Sequence, residues 1–324
     1  MWVRAAVFGD EKARNWCRDY GVRVMTGTTS GTSSVVPDEM VQPIIDLREA
    51  YGVARQQCYV HPMASDTATV PRRSSGVTAY FVGREDAITA SDAAFDEINL
   101  VARKLAALTR VSRDYAEDAV INLGDHLAGE MAYAFAVKED DCLFNGDGTS
   151  TYGGINGIRA KILGLAGAID AASGNDTFAE ITNNDLLAVE GALPEYPGIM
   201  AKWYVSKKGR SLMFDRLAAA AGGNTKRSLS AEGPVREWNG SEIVISQAMP
   251  KVATDLSDVA MAIHGDLNMG VTFGDRRGFD VVIDSSRYME YDQIAIKATE
   301  RVDIVVHGVG DSSNAGPIVA LIGE

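Results

Sequence analysis

Cysteine is scarce in this chain. Cys17, Cys58 and Cys142 are odd in number and far apart in 324 residues, and no CxxC occurs. A disulfide framework and a thiolate zinc site are thereby excluded, and buried free thiols in a reducing compartment are the expectation. Basic charge is also in deficit. Against 44 acidic residues stand 31 basic ones, a formal charge of −13, the wrong sign for wrapping nucleic acid by phosphate neutralisation. No apolar run approaches a membrane span. The opening MWVRAAVFGDEKARNWCRDYG is unlike a signal peptide, because Arg4 interrupts its short apolar run and charges follow at once. Assembly in cytoplasm is the expectation.

Catalytic and cofactor motifs are missing too. The four histidines, His61, His126, His264 and His307, are scattered, and none lies in HExxH. GxSxG and SxxK are absent. The glycine-rich stretch CLFNGDGTSTYGGINGI (142–158) suggests a phosphate cradle, yet no GK[ST] follows and the GxGxxG spacing is wrong. Counted as a calcium loop from Asn145, its sixth and twelfth places hold Ser150 and Asn156 instead of glycine and glutamate. No cofactor, no metal and no enzymatic activity are therefore expected.

What is present is ordinary globular composition, 46% apolar and 23% charged, enough for one large domain or two connected ones. Residues 1–24 read as a short amphipathic helix, followed by the small polar linker TGTTSGTSS. Alternating β-branched and aromatic residues in TATV and VTAYFV, with PRRSSG between them, predict a two-stranded excursion turning at PRRSSG. DEINLVARKLAALTRVS reads as a strand leading away from it. The clearest element is a helix from Tyr115 to Phe144, about 45 Å long. Asp114 and Glu117 form its capping box, and Val120, Leu123, Leu127, Met131, Ala134 and Phe135 its apolar face. Asn145-Gly146 ends it with a left-handed glycine cap. The cluster KEDD (138–141) sits where the helix dipole disfavours acids, and a solvated face is the expectation. Helices near 184–192 and 207–221 follow, then strands SEIVIS, VTFGD, FDVVIDS, DQIAIKATERVDIVVHG and PIVALIG. The class is α+β.

This order of parts resembles the major capsid proteins of tailed bacteriophages, with the Hong Kong 97-type fold. The likeness is carried by VVP, VPRR, AYFVGRED, KLAALTRVSRDYAEDAV, LFNGDGT, GGINGI and YDQIAIKATERVDIVV, and covers roughly residues 30–324. The resemblance implies an N-terminal arm at 1–34, an extended E-loop at 56–95 and a P-domain of 35–55, 96–152 and 271–307. An A-domain would comprise 153–270 and 308–324. It marks Val70, Arg72, Arg73, Tyr80, Phe81 and Arg84 as E-loop contacts between subunits. Asn224, Lys226, Arg227, Glu232 and Trp238 would lie on an axial loop at the five- and sixfold axes. Implied partners are further copies in pentamers and hexamers, a portal, scaffolding protein or protease, a decoration protein, and packaged DNA touched weakly; no membrane is involved. Relatives often carry a helical scaffolding segment ahead of the arm, so scaffolding is a separate protein or a longer precursor was trimmed.

Some relatives also weld their shells through an E-loop lysine, an asparagine and a glutamate. Here the segment from Gln56 to Phe95 has no lysine, and Asp292 and Thr299 stand near the acceptor and base positions. A non-covalent shell is implied. An encapsulin-like compartment is the alternative inside the fold, and a soluble hydrolase using Asp and Glu residues the alternative outside it.

Overall fold

The computed structural model describes residues 51–113, 123–220, 234–252 and 254–324, besides Lys12. Residues 1–47 and 48–324 separate into two units, and all the described strands lie in the second. The expected helix at 1–24, the linker after it and the capping box of Asp114 and Glu117 lie outside the described residues. So do Cys17, Asn224, Lys226, Arg227 and Glu232.

In chain order the first half holds α1 (Val53–Gln57), β1 (Tyr59–Pro62), β2 (Thr67–Ser75), β3 (Ala94–Val101), β4 (Arg103–Ser112), α2 (Leu123–Asn145) and α3 (Ile158–Ile162). Then come β5 (Ala168–Asp170), α4 (Asn183–Ala192), β6 (Lys202–Val205), and α5 (Lys207–Arg210) joined to α6 (Arg216–Ala220) by a π-helical turn. The last part holds β7 (Glu237–Trp238), β8 (Ser241–Ile245), β9 (Ala260–Gly265), α7 (Leu267–Gly270), β10 (Val271–Asp284), β11 (Gln293–Val306) and β12 (Ile318–Ile322).

The strands form a four-stranded sheet in the order β1-β10-β11-β4, a six-stranded sheet β5-β12-β9-β6-β8-β7, and a separate ribbon β2-β3. In β4 half-buried and exposed residues alternate, the mark of a strand with one covered face. The cover is α2: Leu127, Met131 and Phe135 pack on Leu105, Ala107, Val281, Ile296 and Ala298. Three of the residues expected on the helix's apolar face are therefore placed, while Ala134 is exposed. The described helix has 23 residues, about 34 Å. The six-stranded sheet holds a second core around Trp203, Phe178 and Phe214. Its middle strand β9 is buried at every residue, as expected for a strand paired on both edges and covered on both faces. Cys58 and Cys142 are free and buried; burial pushes the Cys142 thiol up to about 11.

Several expectations are corrected. PRRSSG is no turn: Pro71 to Ser75 continue β2, whose partner is β3, with Val70 opposite Ile98 and Arg72 opposite Asp96. A two-stranded ribbon leaves one edge of each strand unpaired, where proline's missing N–H is tolerated. VTAYFV is in no strand, and DEINLVARKLAALTRVS is two strands rather than one. VTFGD and FDVVIDS are one continuous strand, β10. β1, β5, β6 and β9 were not anticipated.

Gly146 is not left-handed either. The positive-φ glycines of this region are Gly148, Gly153 and Gly154, which turn the chain as expected. Gly146 still donates to the Cys142 carbonyl at 3.2 Å, continuing the helical pattern. What requires a glycine there is space: a Cβ would stand 2.6 Å from the Cys142 carbonyl oxygen and 2.7 Å from that of Ile155. The glycine-rich stretch stops a helix and packs its end closely.

Candidate inter-subunit site and buried charge cluster

The ribbon departs from the body through a buried base. Ile98 and Leu100 are buried, and a Cβ on Gly274 would touch the Leu100 side chain at 3.4 Å. Asp303 accepts the Val101 amide at 2.7 Å and so ties β3 to β11. Val70 and Arg72 are half-buried on the same face. Arg72 pairs with Asp96 at 3.1 Å and donates to the carbonyl of His307. Its contacts are thus within its own chain, and they clamp the ribbon's mid-length to the body. Arg73 is exposed, and its guanidinium folds against Gly76.

Beyond Ser75 the chain leaves the ladder and forms a loop to Ala94. The Ser91 hydroxyl closes its neck, accepting the Thr78 amide and donating to the Thr78 carbonyl, both at 2.9 Å. At the tip Asp86 donates to Gly83 at 3.3 Å, with Glu85 left-handed. This loop carries apolar side chains that the described residues leave uncovered. Phe81 is fully exposed, Ile88 83% and Val77 69%, with Tyr80 and Phe95 also exposed. Burying each would contribute about 1.5–3 kcal/mol, which a single subunit forgoes. Arg84 is exposed beside them. Of the expected axial residues only Trp238 is described. It ends the edge strand β7, half-buried, its ring 5.4 Å from that of Phe214, so it belongs to a strand and a core margin.

The largest departure from expectation is KEDD. Lys138 and Asp141 pair with each other at 3.1 Å, but Glu139 and Asp140 are buried. Asp140 accepts the amides of Gly52, Val53 and Ala54 at 2.8, 3.2 and 2.8 Å and so caps α1 from a distant helix. Burial pushes its carboxyl up, against the pull of those three amides. Glu139 receives Arg55 in a two-pronged contact, from Nε at 2.9 Å and from Nη2 at 2.6 Å. The same guanidinium reaches Asp275 at 3.1 Å and Glu300 at 3.3 Å and stacks over Phe273 at 4.8 Å. One cation therefore serves three carboxyls where α1, α2, β10 and β11 meet. A cavity of about 290 Å³ opens beside them, lined by Arg55, Phe135, Glu139, Phe279 and Glu300 among others. The sequence signal that marks this site is the pair of adjacent acids near a helix C-terminus, where solvent-facing acids are disfavoured.

The two positions implied for cross-linking differ in setting. Asp292 is exposed and left-handed, with Arg113 at 3.8 Å, whereas Thr299 is buried and accepts from Arg277.

Comparison with known proteins gives a consistent result. A family model described as the phage capsid family matches residues 32–308. The major capsid protein of Klebsiella oxytoca phage phiKO2 is 26% identical over 133 residues, 40% of this chain and 31% of that protein, so the match spans about a third of the relative. Among solved structures, the capsid of a native GTA particle has a TM-score of 0.71 at 17% identity, covering 93% of this chain and 99% of that one. A chain from Microbacterium phage Oxtober96 has a TM-score of 0.68 at 16% identity, covering 90% and 98%.

Proposed function

This chain belongs to the phage capsid family and has its Hong Kong 97-type fold, and from that premise we propose that it is the structural subunit of an icosahedral capsid enclosing double-stranded DNA. The observation that carries the reading is the loop of residues 76–93, a long excursion whose apolar side chains are exposed and meet no cover among the described residues. Exposed apolar surface of this kind marks an interaction site, and a second copy that covers it also satisfies the edges of the ribbon. Repeated around closed symmetry, modest contacts with several neighbours hold each subunit firmly.

In this reading the ribbon and its loop are the E-loop, proposed for 56–95, and Tyr80, Phe81 and Arg84 at its far end meet the neighbour. Val70 and Arg72 set its angle. The α2 rod and the four-stranded sheet form the P-domain, the six-stranded sheet the A-domain, and 222–240 the axial loop. Pentamers and hexamers of this chain would assemble in the bacterial cytoplasm and end as the virion capsid. A portal, a scaffolding protein or protease and a decoration protein are the proposed partners. Net charge of −13 favours loose, sequence-independent contact with the packaged DNA. Electron microscopy of the purified protein, with scaffolding supplied, tests the reading. Closed shells are expected; small oligomers under every salt and pH condition would refute it.

A further inference from the structure

The junction of α2 with the four-stranded sheet holds more negative charge than its single guanidinium neutralises. From α1 comes Arg55, from α2 Glu139 and Asp140, from β10 Asp275 and from β11 Glu300. On β4 the residue opposite Glu300 is Leu105, which brings no charge. Arg103, Lys104 and Lys138 line, together with Glu139, another cavity of about 160 Å³; Arg103 is turned to Asp303 at 3.9 Å and Lys138 to Asp141 at 3.1 Å. Asp140 is satisfied by three amides, and Asp275 is open to water on one side. That leaves Glu139 and Glu300, each about 2–3% exposed, sharing Arg55. Glu139 takes the two-pronged contact that marks an ionised carboxylate. Glu300 takes one bond at 3.3 Å, and its Oε1 is buried with no hydrogen-bond partner among the described residues. Two ionised carboxylates side by side in a buried junction repel each other, and a buried unpaired oxygen costs about 1–3 kcal/mol. One proton relieves both.

We propose that Glu300 is a protonated acid that donates to Glu139, and that this proton latches α2 to the sheet and is released in alkali, loosening the rod. Burial, with the hydrogen bond to Glu139 and the charge beside it, pushes the Glu300 carboxyl up to about 8 from 4.5. The direction of the pH dependence is set by that rise. Below 4.5 folded and unfolded chains both hold the proton, and the stabilisation is complete. Between 4.5 and 8 the unfolded chain has released it while the folded chain has not, so stability is lost as pH rises and levels off above about 8. The proposal concerns the subunit itself and does not rest on the capsid reading. In a shell it would place an alkali-sensitive joint between the rod and the four-stranded sheet on which it packs.

The test uses the full-length chain. Infrared spectroscopy at pH 7 is expected to show the carbonyl band of a protonated carboxylic acid that fades near pH 8 and is absent from Glu300→Gln. Glu139→Gln removes the neighbouring negative charge and leaves Arg55 to pair with Glu300, so the band should be lost at pH 7 in that variant as well. Denaturant unfolding gives the second readout. Relative to Glu300→Gln, the wild-type folding constant should fall roughly tenfold per pH unit between 5 and 7.5. A wild type without the band at pH 7, or one whose stability there responds to the identity of the salt cation instead of pH, would overturn the proposal, the latter by showing that a bound cation does the proton's work.

Discussion

Gly157 donates its amide to the carbonyl of Gly146 across 2.9 Å, and neither residue has room for a side chain. A Cβ on Gly157 would stand 2.6 Å from the Cys142 carbonyl oxygen and 2.8 Å from the Gly146 nitrogen; on Gly146 it would meet Gly157 nitrogen at 2.9 Å. The last turn of the rod and the start of α3 touch backbone to backbone. The obstructing atoms belong to the main chain and have little freedom to move. Gly146→Ala and Gly157→Ala should therefore each destabilise the subunit by at least about 2 kcal/mol. Gly191, in α4, meets nothing within 4 Å, and its replacement by alanine should stabilise by about 0.5–1 kcal/mol. Denaturant midpoints of the three variants check both signs.

Asp140 holds three amides of another helix, so removing its oxygens leaves buried donors unpaired. Asp140→Ala should cost about 2–3 kcal/mol. Asp140→Asn keeps an acceptor and should cost less. Loss of amide-exchange protection at 52–54 in the alanine variant is the accompanying signature.

Acid should weaken the six-stranded sheet. His264 is buried, stacked on Trp203 at 4.3 Å, and burial holds its imidazole down at about 4. Between pH 6.5 and 4 the unfolded chain binds a proton that the folded chain refuses, so stability present above 6.5 is lost as pH falls, by roughly 1.4 kcal/mol per unit. His264→Phe keeps a ring against Trp203 and should remove its share of that slope, leaving the share of His307, whose imidazole burial also holds down at about 4. An unchanged slope would show that His264 does not titrate there.

The ribbon should divide at its base. Replacing residues 77–91 by a short glycine-serine turn should leave thermal unfolding of the subunit nearly unchanged while shell formation fails. Leu100→Ala, by contrast, empties a buried site in the body and should cost about 2–5 kcal/mol. Calorimetry and electron microscopy of the two variants separate the roles.

Covalent welding should be absent. Arginine keeps its proton and is no nucleophile, the ribbon and loop offer no lysine, and Thr299 is no carboxylate base. Mature particles boiled in reducing detergent are expected to run as one band at the monomer mass; a ladder of pentamers and hexamers would contradict this.

Sequence and structure divide according to the range of the interactions involved. Periodicity alone located the rod, its contact face at Leu127, Met131 and Phe135, its end at Asn145, and the long strand β11, because local spacing dictates which side of an element is apolar. The scarcity of cysteine and motif was equally legible, and so was the order of parts that points to a capsid. Strand partners were not: β2 looks as ready to pair with VTAYFV as with Ala94–Val101, and the choice is made by Ile98 and Leu100 finding the body's core. Nor was the fate of KEDD legible. Glu139 and Asp140 resemble solvated acids until the chain brings Arg55 and the amides of 52–54, more than eighty residues away, against them. Local pattern determines an element's face, but only the tertiary fold decides what meets it, because burying a charge depends on a partner that the neighbouring sequence does not contain.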